Sequence, residues 1–152
     1  MASPVYADTL VGRVVGVSDG DTVTILDASN TQYKIRLMGI DAPEKNQPFG
    51  QKSKQHLADL VFNRSVTVEY SKQDKYGRTV GKITVGEVDA NLEQIKAGLA
   101  WHYKKYQNEQ TADDRIAYAQ AENAARTQKL GLWAEPNPVP PWDWRKLHKR
   151  GQ

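Results

Sequence analysis

The sequence predicts an α+β domain with a mainly β core: a five-stranded barrel accompanied by about three helices. Three observations predict it. Short runs of alternating apolar and polar residues fill positions 9–40 and return between 66 and 85. A single stretch of helical period separates these two groups, and further helical patterning begins only beyond position 89. At 152 residues and 17.1 kDa the chain has the size at which one domain buries most of the surface its unfolded form exposes, so one core is expected.

Each element follows from its residues. Positions 9–17 are rich in Val, with Gly12 and Gly16 inside; glycines within a strand mark the bends or bulges that a small barrel needs at its corners. In 21–26, Val23 and Ile25 alternate with Thr22 and Thr24, and in 33–40, Tyr33, Ile35 and Leu37 alternate with Lys34, Arg36 and Met38. Asp19-Gly20 and Ser29-Asn30 supply turns, giving a three-stranded antiparallel meander. Positions 41–48 form a polar loop with two prolines, after which Leu57, Leu60 and Val61 at helical spacing predict a helix over 49–63. Strands follow at 66–70 and 79–85, around a polar turn at 72–78. Asp89 or Asn91 caps a short helix over 92–97 that Gly98 ends. Thr111-Ala-Asp-Asp114 resembles a capping box and opens a long Ala-rich helix with Gly131 placed to terminate it. Five strands with a helix after the third is the element order of an oligonucleotide-binding (OB) barrel, an order that other α+β arrangements share.

Composition narrows the function classes. With no cysteine there is no disulfide, zinc finger or thiol nucleophile. No apolar run approaches the roughly twenty residues needed to span a bilayer, so a soluble protein with no membrane partner is expected. The net charge is +3, and all of it lies at the end of the chain. Positions 136–152 carry Arg145, Lys146, Lys149 and Arg150 against Asp143, which leaves 17 basic and 17 acidic groups in the remaining body. The expected organisation is therefore an N-terminal extension (1–8), a barrel domain (9–135) and a Pro-rich basic tail (136–152). The tail has three possible fates: docking on the body, binding nucleic acid without specificity, or disorder. Val5-Tyr6-Ala7 has the small-residue character of a signal-peptidase site. That pattern makes a secreted or periplasmic location the expectation, with an ordinary N-terminus as the alternative.

Chemistry is carried by carboxylates and arginines. Asp21 lies at the first turn, and Asp41 with Glu44 just past the third strand, so antiparallel neighbours can bring these three together. Hard oxygen ligands select calcium, magnesium or manganese. Arg36 lies five residues before Asp41, and Arg78 closes the turn Asp74-Lys-Tyr-Gly-Arg78. A guanidinium is a planar fork that holds two phosphate oxygens at once. Carboxylates for a cation and arginines for phosphate oxygens are the equipment of phosphodiester cleavage. His56, His102 and His148 show no ligand spacing and are read as packing or surface residues, and Trp133 as core packing.

Ser18-Asp-Gly-Asp-Thr-Val23, Ile35-Arg-Leu-Met-Gly-Ile-Asp-Ala-Pro-Glu44, Asp74-Lys-Tyr-Gly-Arg78 and Leu130-Gly-Leu-Trp133, collinear over positions 9–135, resemble the staphylococcal nuclease (thermonuclease) family. The resemblance implies an OB-fold nuclease, monomeric and calcium-dependent, cleaving single- or double-stranded DNA and RNA to 3'-phosphate products. It implies Asp21 and Asp41 as calcium ligands, completed by the backbone carbonyl of Ala42, where the family usually has threonine. Glu44 matches the general base, and Arg36 and Arg78 match the arginines on the scissile phosphate. Lys75 and Tyr76 match nucleotide-contacting positions. Tyr106 matches another, and Lys104 stands where its partner aromatic would be; Trp101, Tyr103 and Tyr106 interleaved with Lys104 and Lys105 offer a cationic stacking surface. Members of this fold that have lost catalytic residues act as binding or scaffold modules, and the survival of all five positions here favours the enzyme. A protein-interaction domain with the tail tryptophans as contact is the weaker alternative.

Overall fold

The computed structural model describes residues 8–149. The expected N-terminal extension, apart from Asp8, and the last three residues of the tail lie outside the described residues. The expected meander is formed by β1 (Asp8–Asp19), β2 (Thr22–Leu26) and β3 (Gln32–Leu37), all antiparallel. After a two-residue strand β4 (Ile40–Asp41) comes helix α1 (Gly50–Val61), then β5 (Ser65–Gln73) and β6 (Thr79–Val85). β5 pairs antiparallel with both β1 and β6, and a parallel pairing of β6 with β3 closes the ring. The result is a five-stranded mixed barrel with several helices, the expected OB fold.

The alternation that predicts the strands also fills the barrel. Val23 and Ile25, Ile35 and Leu37, Val66 and Val68, and Ile83 are essentially inaccessible and pack in one cluster, which Leu57 and Val61 of α1 join. β1 serves two neighbours: residues 8–13 pair with β5 and residues 13–19 with β2, with register shifts at Val14/Gly16 and Val17/Asp19. These bulges sharpen its bend, as the embedded glycines imply.

The remaining elements cover the barrel. β7 (Val88–Asp89) leads into α2 (Ala90–Lys96), and β8 (Trp101–His102) pairs with β4. A 3-10 segment (Lys104–Glu109) follows, then α3 (Ala112–Thr127), a 3-10 turn (Gly131–Ala134) and α4 (Pro141–His148). Asp89 is the α2 cap, accepting from the Leu92 N–H at 3.0 Å. Asn91 lies inside the helix, where its buried side chain accepts from the Ile83 N–H and donates to the Met38 and Gly81 carbonyls. Thr111 caps α3 as expected, but the helix ends at Thr127, and Lys129 rather than Gly131 is the first residue to turn left-handed.

Two findings, one against the sequence expectation and one among the alternatives it left open, shape the site. The third strand stops at Leu37 instead of running to Ile40, because Gly39 takes φ +82°; the Met38 N–H still donates to the Gly81 carbonyl, the last bond of the β3–β6 ladder. Ile40 and Asp41 therefore leave the barrel and pair with His102 and Trp101. The tail docks on the body. After the prolines it forms α4, with Pro at its first turn, the position where a missing N–H costs nothing. Trp142 stacks on Tyr103 at 5.3 Å and 5° and meets Trp101 edge-on at 5.4 Å, and the Gln47 side chain donates to the Val139 carbonyl. No helix among the described residues is long and apolar enough to cross a membrane.

Candidate active site

Gly20 and Asp21 form the two-residue loop between β1 and β2, so Asp21 lies in the turn itself and the strand begins at Thr22. The Leu37 N–H donates to the Asp21 carbonyl at 2.8 Å, fastening that turn onto the end of β3. Opposite Thr22 on β3 is Arg36, which also faces Val80 across the parallel ladder, two residues beyond Arg78. The barrel thereby brings positions 21, 36, 41 and 78 to one end.

Arg36 is the hub of the carboxylates. Its Nη1 donates to the carbonyls of Leu37 and Ile40, both at 2.9 Å, while Nη2 lies 3.4 Å from Asp21 Oδ2 and 3.2 Å from Asp41 Oδ1. Asp21 Oδ2 also accepts from the Ala42 N–H at 2.8 Å, and Oδ1 from the Thr22 hydroxyl at 3.0 Å. Burial pushes the Asp21 carboxyl up, but Arg36 and these hydrogen bonds outweigh it and hold the group below the usual carboxylate range. Asp19, whose carboxylate accepts from the Asp21 N–H at 3.1 Å, responds in the opposite sense: burial and the neighbouring Asp21 charge raise it to about 7. Asp41 is fully buried, and burial raises it to about 6 against the pull of Arg145 and Arg36.

The carboxylates of Asp19, Asp21 and Asp41 outnumber the two guanidiniums, Arg36 and Arg145, that reach this cluster, which leaves the site short of positive charge. The donor set is oxygen only, which fits a hard divalent cation. Among the described residues no group of three or more His, Cys, Asp or Glu side chains is arranged to hold a metal ion. A cation here would take Asp21 and Asp41 and complete its shell from a backbone carbonyl, such as that of Ala42, and from water. The Ala42 N–H is already spent on Asp21, which fixes the Asp41–Ala42 peptide beside the carboxylates, one peptide before the Ala42 carbonyl.

These groups open into a cleft of about 680 Å³ whose lining includes Asp19, Asp21, Arg36, Asp41, Glu44 and Arg78. Glu44, about one-third exposed, is held by its loop: its N–H donates to the Gln47 side chain at 3.0 Å, and its carbonyl accepts from the Gln47 N–H at 2.9 Å. Asp74 shapes the far wall. It accepts from the Tyr76 and Arg78 N–H groups at 2.9 and 3.0 Å and from Arg78 Nε at 2.7 Å. The two Nη atoms of Arg78 have no hydrogen-bond partner among the described residues, and its guanidinium lies 5.3 Å from the Tyr76 ring.

Lys75, Tyr76 and Tyr106 also line the cleft, with Tyr76 70% exposed and Tyr106 edge-on to Tyr103 at 4.9 Å. Lys104 does not: its Nζ reaches Glu122 Oε1 on α3 at 2.7 Å. Glu122 is buried and needs that charge, together with Arg126 and the His102 N–H. The aromatic ring that lines the cleft beside Tyr106 is Tyr103. Sequence reasoning passed over two further lining groups, Asp19 and Arg145. Asp19 was visible as part of the turn. Arg145 lies 104 positions from the Asp41 it pairs with, and no spacing could link them.

Residues 34–135 match the model of the family described as staphylococcal nuclease homologue. The chain is 45% identical over 137 residues to a Haemophilus influenzae protein named an uncharacterized endonuclease, covering 90% of this chain and 74% of that one. It is 42% identical over 143 residues to a protein of the same name from Escherichia coli O157:H7, covering 93% and 89%. To a protein of Shigella flexneri named micrococcal nuclease it is 39% identical over 155 residues, covering 96% and 86%.

Proposed function

The chain belongs to the staphylococcal nuclease family, and from that premise we propose that it is a calcium-dependent phosphodiesterase acting on DNA and RNA, with Glu44 as general base and Arg36 and Arg78 on the scissile phosphate. One observation supports this above the others: the two arginines, Asp21, Asp41 and Glu44, spread over 58 positions of sequence, line one cleft.

Each residue has a task suited to its surroundings. Arg78, anchored through Nε by Asp74, offers both Nη donors to the non-bridging oxygens of a phosphodiester. Arg36, buried between two carboxylates, presents fixed positive charge where negative charge grows on five-coordinate phosphorus. Glu44, partly exposed at the cleft, accepts a proton from the attacking water. The water oxygen bonds to phosphorus as the bond to the 5' oxygen breaks; that oxygen takes a proton from solvent, leaving a 3'-phosphate and a 5'-hydroxyl. Calcium bound at Asp21, Asp41 and the Ala42 carbonyl would offset the charge of the phosphate and lower the pKa of the water. Lys75, Tyr76, Tyr103 and Tyr106 give the cleft a cationic and aromatic rim suited to a flexible strand without base-specific contacts.

The test is cleavage of single-stranded DNA and RNA by the full chain with calcium, with EDTA, and as Glu44→Gln. Activity with calcium, lost under the other two conditions, is expected. Full activity in EDTA refutes the metal, and no cleavage by the unmutated chain with calcium points to a binding module.

A further inference from the structure

The tail reaches the proposed metal site. Arg145 on α4 spans both oxygens of Asp41, with Nη2 at 2.8 Å from Oδ2 and Nη1 at 3.1 Å from Oδ1, and Nη1 also lies 3.6 Å from Glu44 Oε1. We propose that Arg145 is a built-in counterion that competes with the divalent cation for Asp41, so that metal binding requires the tail guanidinium to leave. The proposal rests on the assignment of Asp21 and Asp41 as the metal ligands.

Three features carry it. Asp41 has no exposed surface, and its Oδ1 already receives Arg36 Nη2 at 3.2 Å; with Arg145 in place both oxygens are occupied by guanidinium donors. A bidentate guanidinium and a hard cation seek the same oxygen lone pairs, and two guanidiniums beside a divalent ion repel it. The second feature is the mount. Trp142, three positions before Arg145, lies on the same face of α4 and is held between Tyr103 and Trp101. One face of the helix therefore puts an aromatic ring on the cleft's Tyr103 and a cation on its carboxylates at once. The third is charge. Arg145 belongs to the segment that holds the whole net positive charge of the chain, and it is spent at the place where the neutral body is most crowded with acid.

A binding site closed most of the time loses apparent affinity in proportion to its open fraction, so a tail engaged about ten to one raises the metal's Kd about tenfold. The experiment is calorimetric titration of calcium into the chelator-treated full chain, comparing the unmutated protein with Arg145→Gln, Trp142→Ala and Asp41→Asn, with circular dichroism to confirm folding of each. Arg145→Gln should bind calcium about tenfold more tightly. Trp142→Ala, which keeps the arginine but removes its anchor, should shift the affinity in the same direction and serves if the first variant fails to fold. Equal or weaker binding in both, with binding lost in Asp41→Asn, overturns the competition and leaves the metal site standing. Calcium binding by Asp41→Asn equal to that of the unmutated chain overturns the metal assignment, and the competition with it.

Discussion

Gly50→Ala is expected to disable the proposed general base without touching it. A Cβ built at Gly50 lies 1.8 Å from the Glu44 carbonyl oxygen and 2.8 Å from its carbon, and real Cβ atoms essentially never approach closer than 3.0 Å. The obstacle is backbone and cannot swing aside, so the Glu44 peptide and the start of α1 must separate by about 1.2 Å, the shortfall between those two distances. The Glu44 carbonyl is tied to Gln47, whose side chain also holds the Glu44 N–H and the Val139 carbonyl. The displacement therefore moves the whole loop instead of being absorbed by it. A misplacement of about 1 Å costs on the order of a hundredfold in rate, or about 2.7 kcal/mol of transition-state stabilisation. Calcium affinity should change less than kcat, because Asp21 and Asp41 stand on the β1–β2 turn and on β4 and Ala42 is tied through its N–H to Asp21, ahead of the displaced part of the loop. The assay is kcat on saturating single-stranded DNA, with calcium titration and a thermal melt on the same preparation. If the loss acts through Glu44, Gly50→Ala combined with Glu44→Gln should be no slower than Glu44→Gln alone. A folded Gly50→Ala protein with kcat within about threefold of the unmutated chain would refute the reasoning.

Three other outcomes are expected. Arg78→Lys keeps the charge but loses the fork and the Nε bond to Asp74, so kcat/KM should fall on the order of a hundredfold in a cleavage assay. Asn91→Leu leaves the Ile83 N–H and the Met38 carbonyl buried without their side-chain partner; at about 1–3 kcal/mol per orphaned group the loss is about 2–6 kcal/mol, read as a fall in Tm of about 2–4 °C per kcal/mol. Burial holds the His102 imidazole below its ordinary value despite the hydrogen bond with Gln110. Below about pH 6.5 the unfolded chain takes up a proton there that the folded chain refuses, so stability falls as pH drops, by at most about 1.4 kcal/mol per pH unit. His102→Gln should flatten that fall in urea melts between about pH 5 and 6.5. Asp19, raised to about 7, works in the opposite direction, but both chains share it and the comparison cancels it.

The barrel was legible because its signal is local. Val23 and Ile25, or Ile35 and Leu37, announce both a strand and the face it buries within a few residues of sequence. The points at which the chain departs from that pattern were not legible. Apolar Met38 and Ile40 follow Leu37 closely, so the local pattern sets no stop there, yet Gly39 takes a left-handed φ and turns the chain out of the barrel. Asn91 looked like a cap as good as Asp89, and only the position of two distant backbone segments made its amide more useful inside the core. Among the site residues, Asp21, Arg36, Asp41, Glu44 and Arg78 stood in recognisable runs. Lys104 did too, but its destination depends on the buried charge of Glu122, which no local pattern discloses. The tail gave the weakest signal: prolines and basic residues imply no helix, whereas the aromatic slot between Tyr103 and Trp101 makes one worth forming.

The parallel pairing of β3 with β6 also has a bearing on time. The segments that carry Arg36 and Arg78 are joined by that ladder, the pairing that makes an open sheet into a ring. Such long-range pairings, like that of β1 with β5, pay loop-closure entropy before any contact rewards it and so slow folding. The two guanidiniums proposed to hold one phosphate are therefore brought together only in the closed barrel. A sheet left open would hold the two proposed phosphate ligands apart, so the proposed cleavage belongs to the closed ring and not to its separate halves.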